Sequence, residues 1–211
     1  PLVEANATQV PRAGLVLWLD ANDVDADGIA DNLPDGTQIQ TWADKSGNDR
    51  NATQDIGGSR PQVGSVPGLA GPSLAFHGSQ YLKIEDANTS FAEFYFVVAL
   101  EENCDGKWIF NMLHEPSVNR GPQVRGEFEL HMQGGLGYSL NGINLKHFEG
   151  PRKFHVLQVT GVASAQDAER LGIAIGAKSA SGGSAFRGYL AEILFYDRRS
   201  QSRNIINYRD V

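Results

Sequence analysis

The sequence predicts an all-β fold built as a sandwich of two antiparallel sheets. Three observations carry that expectation. Glycine is abundant at 24 residues and proline adds 9, so the chain is cut into short segments. Those segments are rich in Val, Ile, Leu, Phe and Tyr, the residues that suit a pleated, half-buried surface. Helical periodicity is almost absent, and a chain of 211 residues with 41% hydrophobic side chains is long enough to bury one substantial core.

Taken in order, strands are expected over 14–20, 38–42, 73–76, 81–85, 94–100, 107–113, 127–133, 136–140, 143–148, 153–160, 171–176 and 188–196. The alternation in Glu127-Phe128-Glu129-Leu130-His131-Met132 sets three polar side chains against three apolar ones, the mark of a strand with one wet face. Phe94 to Leu100 is apolar on both sides, as befits a central strand covered twice. Asn141-Gly142 is the preferred pair for a type I′ turn and predicts a hairpin joining 136–140 to 143–148. A short helix is expected over 202–209, with Ser202 as its N-cap; 163–170 holds a helical turn or a loop. The domain expected is single, 1–211, with an acidic insertion at 20–36.

Charge and cysteine content exclude several functions. With 25 acidic and 18 basic side chains the net charge is -7, and no Lys/Arg block supplies the footprint of a nucleic-acid or anionic-membrane binder. No apolar run reaches membrane-spanning length, so no membrane insertion is expected. A single Cys104 excludes an internal disulfide or a multi-cysteine metal site. The five His residues show no HExxH or paired spacing, and neither a nucleophile-elbow nor a phosphate-loop motif occurs. A start at Pro1 suggests a mature product or a piece of a longer polypeptide.

The sharpest motif is Asp23-Val24-Asp25-Ala26-Asp27-Gly28-Ile29-Ala30-Asp31. Carboxylates at alternate positions of a tight turn converge on one point, Gly28 permits the bend, Ile29 offers a carbonyl and Asp31 closes the shell, a hard oxygen set suited to Ca²⁺. The metal ligands expected are therefore Asp23, Asp25, Asp27, Ile29 and Asp31, with Asp20, Asn22 and Asp35 nearby as supplements. Without a cation the same residues form a solvated acidic turn. An EF-hand is excluded because its twelfth position is Pro34. The motif resembles the aspartate-rich calcium loops of thrombospondin type 3 and dockerin-like sequences.

A wider resemblance rests on Gly14-Leu15-Val16-Leu17-Trp18-Leu19-Asp20-Ala21, on Thr41-Trp42-Ala43-Asp44-Lys45-Ser46-Gly47-Asn48 and on Asn51-Ala52-Thr53-Gln54. It continues through Arg60-Pro61, Leu74 to Gly78 and Tyr81-Leu82, and ends with Gly188 to Arg198. These segments are similar to the laminin-G-like members of the concanavalin A-like lectin/glucanase superfamily found in large secreted bacterial proteins. His77 departs from the family pattern, where Asp is common, and no Leu follows Arg198. The resemblance implies a concanavalin A-like jelly roll and a secreted or cell-surface setting within a larger polypeptide. It further implies a noncatalytic recognition module for a polysaccharide or other glycan, or for an extracellular protein.

Two other functions stay open. A hydrolase or lyase would use Glu127, Glu129 and His131, which alternation sets on one strand face, although the ExDxxE pattern of the related glucanases is broken here. An adhesion or spacer domain would merely present its neighbours. For glycan binding the expected residues are Glu127, Glu129, His131 and Tyr138, with Phe148 and His155 as further candidates to line the sheet face. Trp18, Trp42 and Trp108 lie among apolar residues and are expected in the core more than at a sugar platform. Glu192, between Ala191 and Ile193, is expected to be a satisfied, partly buried carboxylate and not a catalyst.

Overall fold

A computed structural model describes residues 10–69, 71–85, 91–113, 119–133, 137–161 and 172–197. The helix expected over 202–209 and the stretch 163–170 lie outside the described residues. Among the described residues, fourteen strands form two seven-stranded antiparallel sheets. The first has the order β11 (Gly137–Leu140), β12 (His155–Thr160), β7 (Glu93–Leu100), β14 (Arg187–Tyr196), β5 (Ser73–His77) and β4 (Gln62–Gly64), with β1 (Leu15–Asp20) also paired to β14. The second runs β10 (Glu129–Gln133), β9 (Asn119–Arg125), β8 (Phe110–Leu113), β13 (Gly172–Ile175), β6 (Leu82–Ile84), β3 (Ala52–Thr53) and β2 (Thr41–Trp42). The only helical element among the described residues is a 3₁₀ turn at Gly57–Ser59. The all-β sandwich expected from sequence is what the chain forms.

The core between the sheets is aromatic. Phe94, Phe96, Phe110 and Phe195 interlock, with Phe96 stacked on Phe110 at 4.8 Å and Phe94 edge-on to Phe195 at 4.6 Å. Such offset and edge geometries suit the ring quadrupoles and add to the gain from burying large apolar area. Trp42 and Trp108 are buried and Trp18 nearly so, as their apolar neighbourhoods predict.

The first sheet is covered on both faces. Alternation along β7 sends Phe94, Phe96, Val98 and Leu100 into the core, and Tyr95, Val97 and Ala99 to the opposite side. There two further apolar clusters form under the loops. One gathers Val10, Leu15, Trp18, Tyr95, Val156, Leu194 and Tyr196; the other includes Val66, Ala75, Phe154 and Tyr189. A bulge in β14 falls between Leu190 and Glu192. It breaks the alternation, so that Tyr189, Ala191, Leu194 and Tyr196 pack outward while Leu190, Ile193 and Phe195 face the core. Glu192 is turned by it to accept the Trp18 indole N–H at 2.8 Å. The carboxylate is buried and satisfied, as expected.

Two expectations about strand 143–148 part company. Asn141 and Gly142 both take positive φ, 49° and 75°, and Leu140 and Ile143 exchange backbone hydrogen bonds, so the two-residue turn forms. The hairpin does not continue. β11 pairs instead with β12, because Asn141 bonds Val156 through both its backbone and its side-chain oxygen. The segment after the turn crosses to the other sheet, where Leu130 donates to the Lys146 carbonyl and Phe148 to that of Phe128. Ile143 is left 59% exposed.

Candidate functional site

The chemistry-bearing residues gather at two places. The first is the acidic turn that follows β1. Asp23 anchors it: the residue is 2% exposed, its Oδ2 accepts the Gly28 N–H at 3.0 Å and lies 2.7 Å from Lys45 Nζ. Lys45 also reaches Asp20 Oδ2 at 3.0 Å, and its ammonium sits 4.5 Å from the Trp18 ring centroid, close enough for a cation–π attraction. Burial by itself would lower the Lys45 pKa, yet the hydrogen bond to Asp23 and the charge of Asp20 hold it above its ordinary value. Lys45 is fixed there because Asp44, one residue before, knits the neighbouring segments together. Its carboxylate accepts from the Trp18 N–H, the Ser46 N–H and hydroxyl, and the Arg50 N–H.

Around Asp23 the turn folds on its own side chains. Asp25 Oδ1 accepts the Asp27 N–H and Asp27 Oδ1 the Ile29 N–H, each across two residues, as Asp does in turns. Ala26 and Gly28 take positive φ. One oxygen from each of Asp23, Asp25 and Asp27 comes within 4.8 Å of the others, the one such group of possible metal ligands among the described residues. Asp31 stands outside that group and instead accepts the Val24 N–H through Oδ2 at 2.5 Å. Ile29 is exposed. The donor set is all oxygen, which fits a hard divalent cation.

The second place is the turn between β9 and β10, where the structure revises two expectations. Glu127 does not share a strand face with Glu129 and His131. β10 begins only at Glu129, and Phe128 takes a left-handed φ of 63°, which breaks the alternation. Glu127 therefore lines a cleft of about 420 Å³ together with Glu102, Asn103, Cys104, Asp105, Gly126, Phe128 and Pro151. Asp105 holds the turn by accepting the Gly126 N–H at 2.7 Å. Phe128 is half-buried, packed against the core with its neighbours Leu130 and Met132. Cys104 is buried, and desolvation raises its thiol pKa, so it is an inert wall and not a nucleophile.

Glu129 and His131 do lie together on the exposed face of β10, opposite Arg125 and Gln123 of β9. Tyr138 does not join them. It sits on β11 of the other sheet, partly buried against the core, and its hydroxyl lies 3.5 Å from the Leu130 carbonyl. It thus ties the two sheets at this end of the sandwich, and burial pushes its pKa up. Phe148 and His155 are buried too, their rings edge-to-face at 5.1 Å, and neither lines an open sheet face. Glu102 and Asp105 were not foreseen as site residues: they belong to a turn-rich stretch with no periodicity to relate them to Glu127.

No family model matches the sequence, and a search of curated proteins finds no match. Among solved structures the fold is similar to that of Trypanosoma rangeli sialidase. With the inhibitor DANA bound, that structure shows 17% identity and a TM-score of 0.52, over 99% of this chain and 34% of the sialidase chain. Its covalent intermediate with 2,3-difluorosialic acid shows 16% identity and a TM-score of 0.50, over 93% of this chain and 33% of that one. At such identity the likeness is one of fold, and this chain spans about a third of the sialidase's length. The expectation of a noncatalytic protein is corrected by this likeness, because the solved structures that share the architecture are those of an enzyme. The sandwich is no mark of a protein without catalysis.

Proposed function

We propose that the chain is a saccharide-recognising unit, concanavalin A-like and laminin-G-like, within a larger secreted or cell-surface glycan-active protein. The observation that carries this reading is the cleft at the β9–β10 turn, where Glu102, Asn103, Asp105 and Glu127 offer hydrogen-bonding groups around the half-buried ring of Phe128. A pyranose presents an apolar C–H face to a ring and directional hydroxyls to amides and carboxylates, and this wall supplies both partners. The likeness to a sialidase fold supports a glycan setting.

The charge of the cleft narrows the class. Three carboxylates border it, so a sugar acid such as the sialic acid derivatives bound to the similar structures would meet like charges here. Neutral saccharides are the class this wall accepts. A glycan array carrying neutral and sialylated members tests the reading, with Glu127→Gln and Phe128→Ala as variants. Binding of neutral glycans that weakens about tenfold or more in either variant is the expected result. A blank array, or a preference for the sialylated members, overturns it.

A second reading, hydrolysis, is favoured by the likeness to an enzyme fold together with Glu102 and Glu127 on one cleft, since paired carboxylates can act as acid and base at a glycosidic bond. Incubating the protein with neutral polysaccharides should then release new reducing ends that Glu127→Gln abolishes. An unchanged substrate rules this reading out and leaves recognition standing.

A further inference from the structure

The polar groups at this end of the sandwich do not stop at the cleft. Two of its walls, the turn after β7 and the loop before β12, each carry a further charged residue: Glu101 next to Glu102, and Arg152 next to Pro151. Arg152 Nε donates to Glu101 Oε1 at 2.9 Å, and the hydroxyl of the buried Tyr189 donates to the same oxygen at 2.7 Å. Burial alone would raise the Glu101 pKa, but the Tyr189 hydroxyl and Arg152 bring it below its ordinary value, so the carboxylate is ionised at neutral pH. Its second oxygen, Oε2, makes no hydrogen bond among the described residues. Nor do the terminal nitrogens of Arg152, whose side chain is 62% exposed.

The backbone fixes this pair beside the cleft. The Arg152 N–H donates to the Leu100 carbonyl at 2.7 Å, which clamps the loop onto the turn. Arg152 takes a left-handed φ of 56°, as Asn103 and Phe128 on the cleft wall do at 58° and 63°. Non-glycine residues persist in that conformation only where the surroundings over-determine them, and such positions cluster at ligand sites. The bond to Glu101 is the main cause of a raised Arg152 pKa, and the charge of Glu102 adds to it, so the guanidinium is within electrostatic reach of the cleft.

We propose that Glu101 and Arg152 form a second saccharide subsite adjoining the cleft, and that the unit takes a neutral oligosaccharide of two or more residues, one over Phe128 and the next across this pair. The inference rests on the reading of the cleft as a saccharide site. A sugar hydroxyl both donates and accepts, so neighbouring hydroxyls can donate to Glu101 Oε2 and accept from the free Arg152 nitrogens, in charge-assisted bonds stronger than neutral ones. The pair carries no net charge. An acidic sugar would meet Arg152 already flanked by Glu101 and Glu102, so the class stays neutral here as in the cleft.

NMR titration with glucose, mannose and galactose, and with cellobiose, mannobiose and galactobiose, tests the subsite, because it reads affinities into the millimolar range. In at least one series the disaccharide should bind about tenfold more tightly than its monosaccharide. Arg152→Ala and Glu101→Gln should each remove most of that gain and leave monosaccharide binding within about twofold, whereas Glu127→Gln weakens both. If Arg152→Ala melts earlier than the parent, Glu101→Gln, which keeps the shape of the side chain, decides alone. Equal affinity for mono- and disaccharides, or a gain indifferent to both variants, overturns the subsite and leaves the cleft standing. Disaccharide binding that depends on Arg152 but not on Glu127 or Phe128 overturns the cleft reading instead. No binding of any of the six sugars overturns the subsite, and the cleft reading falls with it if the glycan array is blank as well.

Discussion

At the scale of the residue, the two sharpest cases are His155 and Gly121. His155 is buried, with Nε2 accepting the Glu149 N–H at 3.3 Å and Nδ1 2.9 Å from the Lys153 carbonyl, an arrangement that uses the neutral ring. Burial lowers its pKa below the ordinary 6.5; the bond to the Lys153 carbonyl and the charge of Glu149 pull the other way, and the charge of Lys153 adds to the lowering. Below about pH 6.5 the unfolded chain therefore takes up a proton that the folded chain resists, and stability falls as the pH drops toward the folded value. Thermal melts between pH 7.5 and 5.5 should show that loss in the parent and a smaller one in His155→Asn; equal losses would acquit the histidine. Gly121 is a matter of space: a Cβ there would come 2.3 Å from the Phe110 carbonyl oxygen, so Gly121→Ala must push two strands apart. A cost of about 1–3 kcal/mol is expected from urea denaturation. The candidate site was partly legible at this scale. Asp23, Asp25 and Asp27 converge because alternate positions in a turn force them to. Lys45 and Asp105 could not be found, since what brings them to the site is chain passing from elsewhere in the fold.

At the scale of the element, strands with a clear apolar rhythm were legible, as in β1, β7 and β14. β9 was not, because Asn119-Arg120-Gly121-Pro122 reads as a turn. The chain is nevertheless extended there: the Pro122 carbonyl accepts the Ile109 N–H, its missing N–H costs the ladder one bond, and Gly121 permits the close approach to Phe110. Strands β3 and β4 are too short for any period to show, whereas the two residues of β2 fall within the strand expected over 38–42. The hairpin at Asn141-Gly142 marks the opposite limit, for local turn chemistry was right and the partner strand was chosen by contacts far along the chain. In the segment 44–50 the Asp44 carboxylate accepts four hydrogen bonds, beside others that Lys45, Asn48 and Arg50 make to β1, so Asp44→Ala should cost about 2–3 kcal/mol and loosen Lys45 with it. Chemical denaturation reads the first effect. A loss below half a kcal/mol would show that the segment stands by other means.

At the scale of the whole molecule, the two sheets are joined through the phenylalanine cluster, and Phe195 touches Phe91, Phe94, Phe96 and Phe110. Phe195→Ala should cost about 3–5 kcal/mol in a single unfolding transition, as an emptied centre does. Two separate transitions would mean that the sheets melt independently. The double covering of the first sheet carries a further consequence for how the molecule breathes. β7 and β14 each have strands on both sides and apolar packing above and below, so no small opening bares their amides. In deuterated water those two strands should be the last to exchange, at the rate of complete unfolding, while β10 at the margin of its sheet trades its protons early.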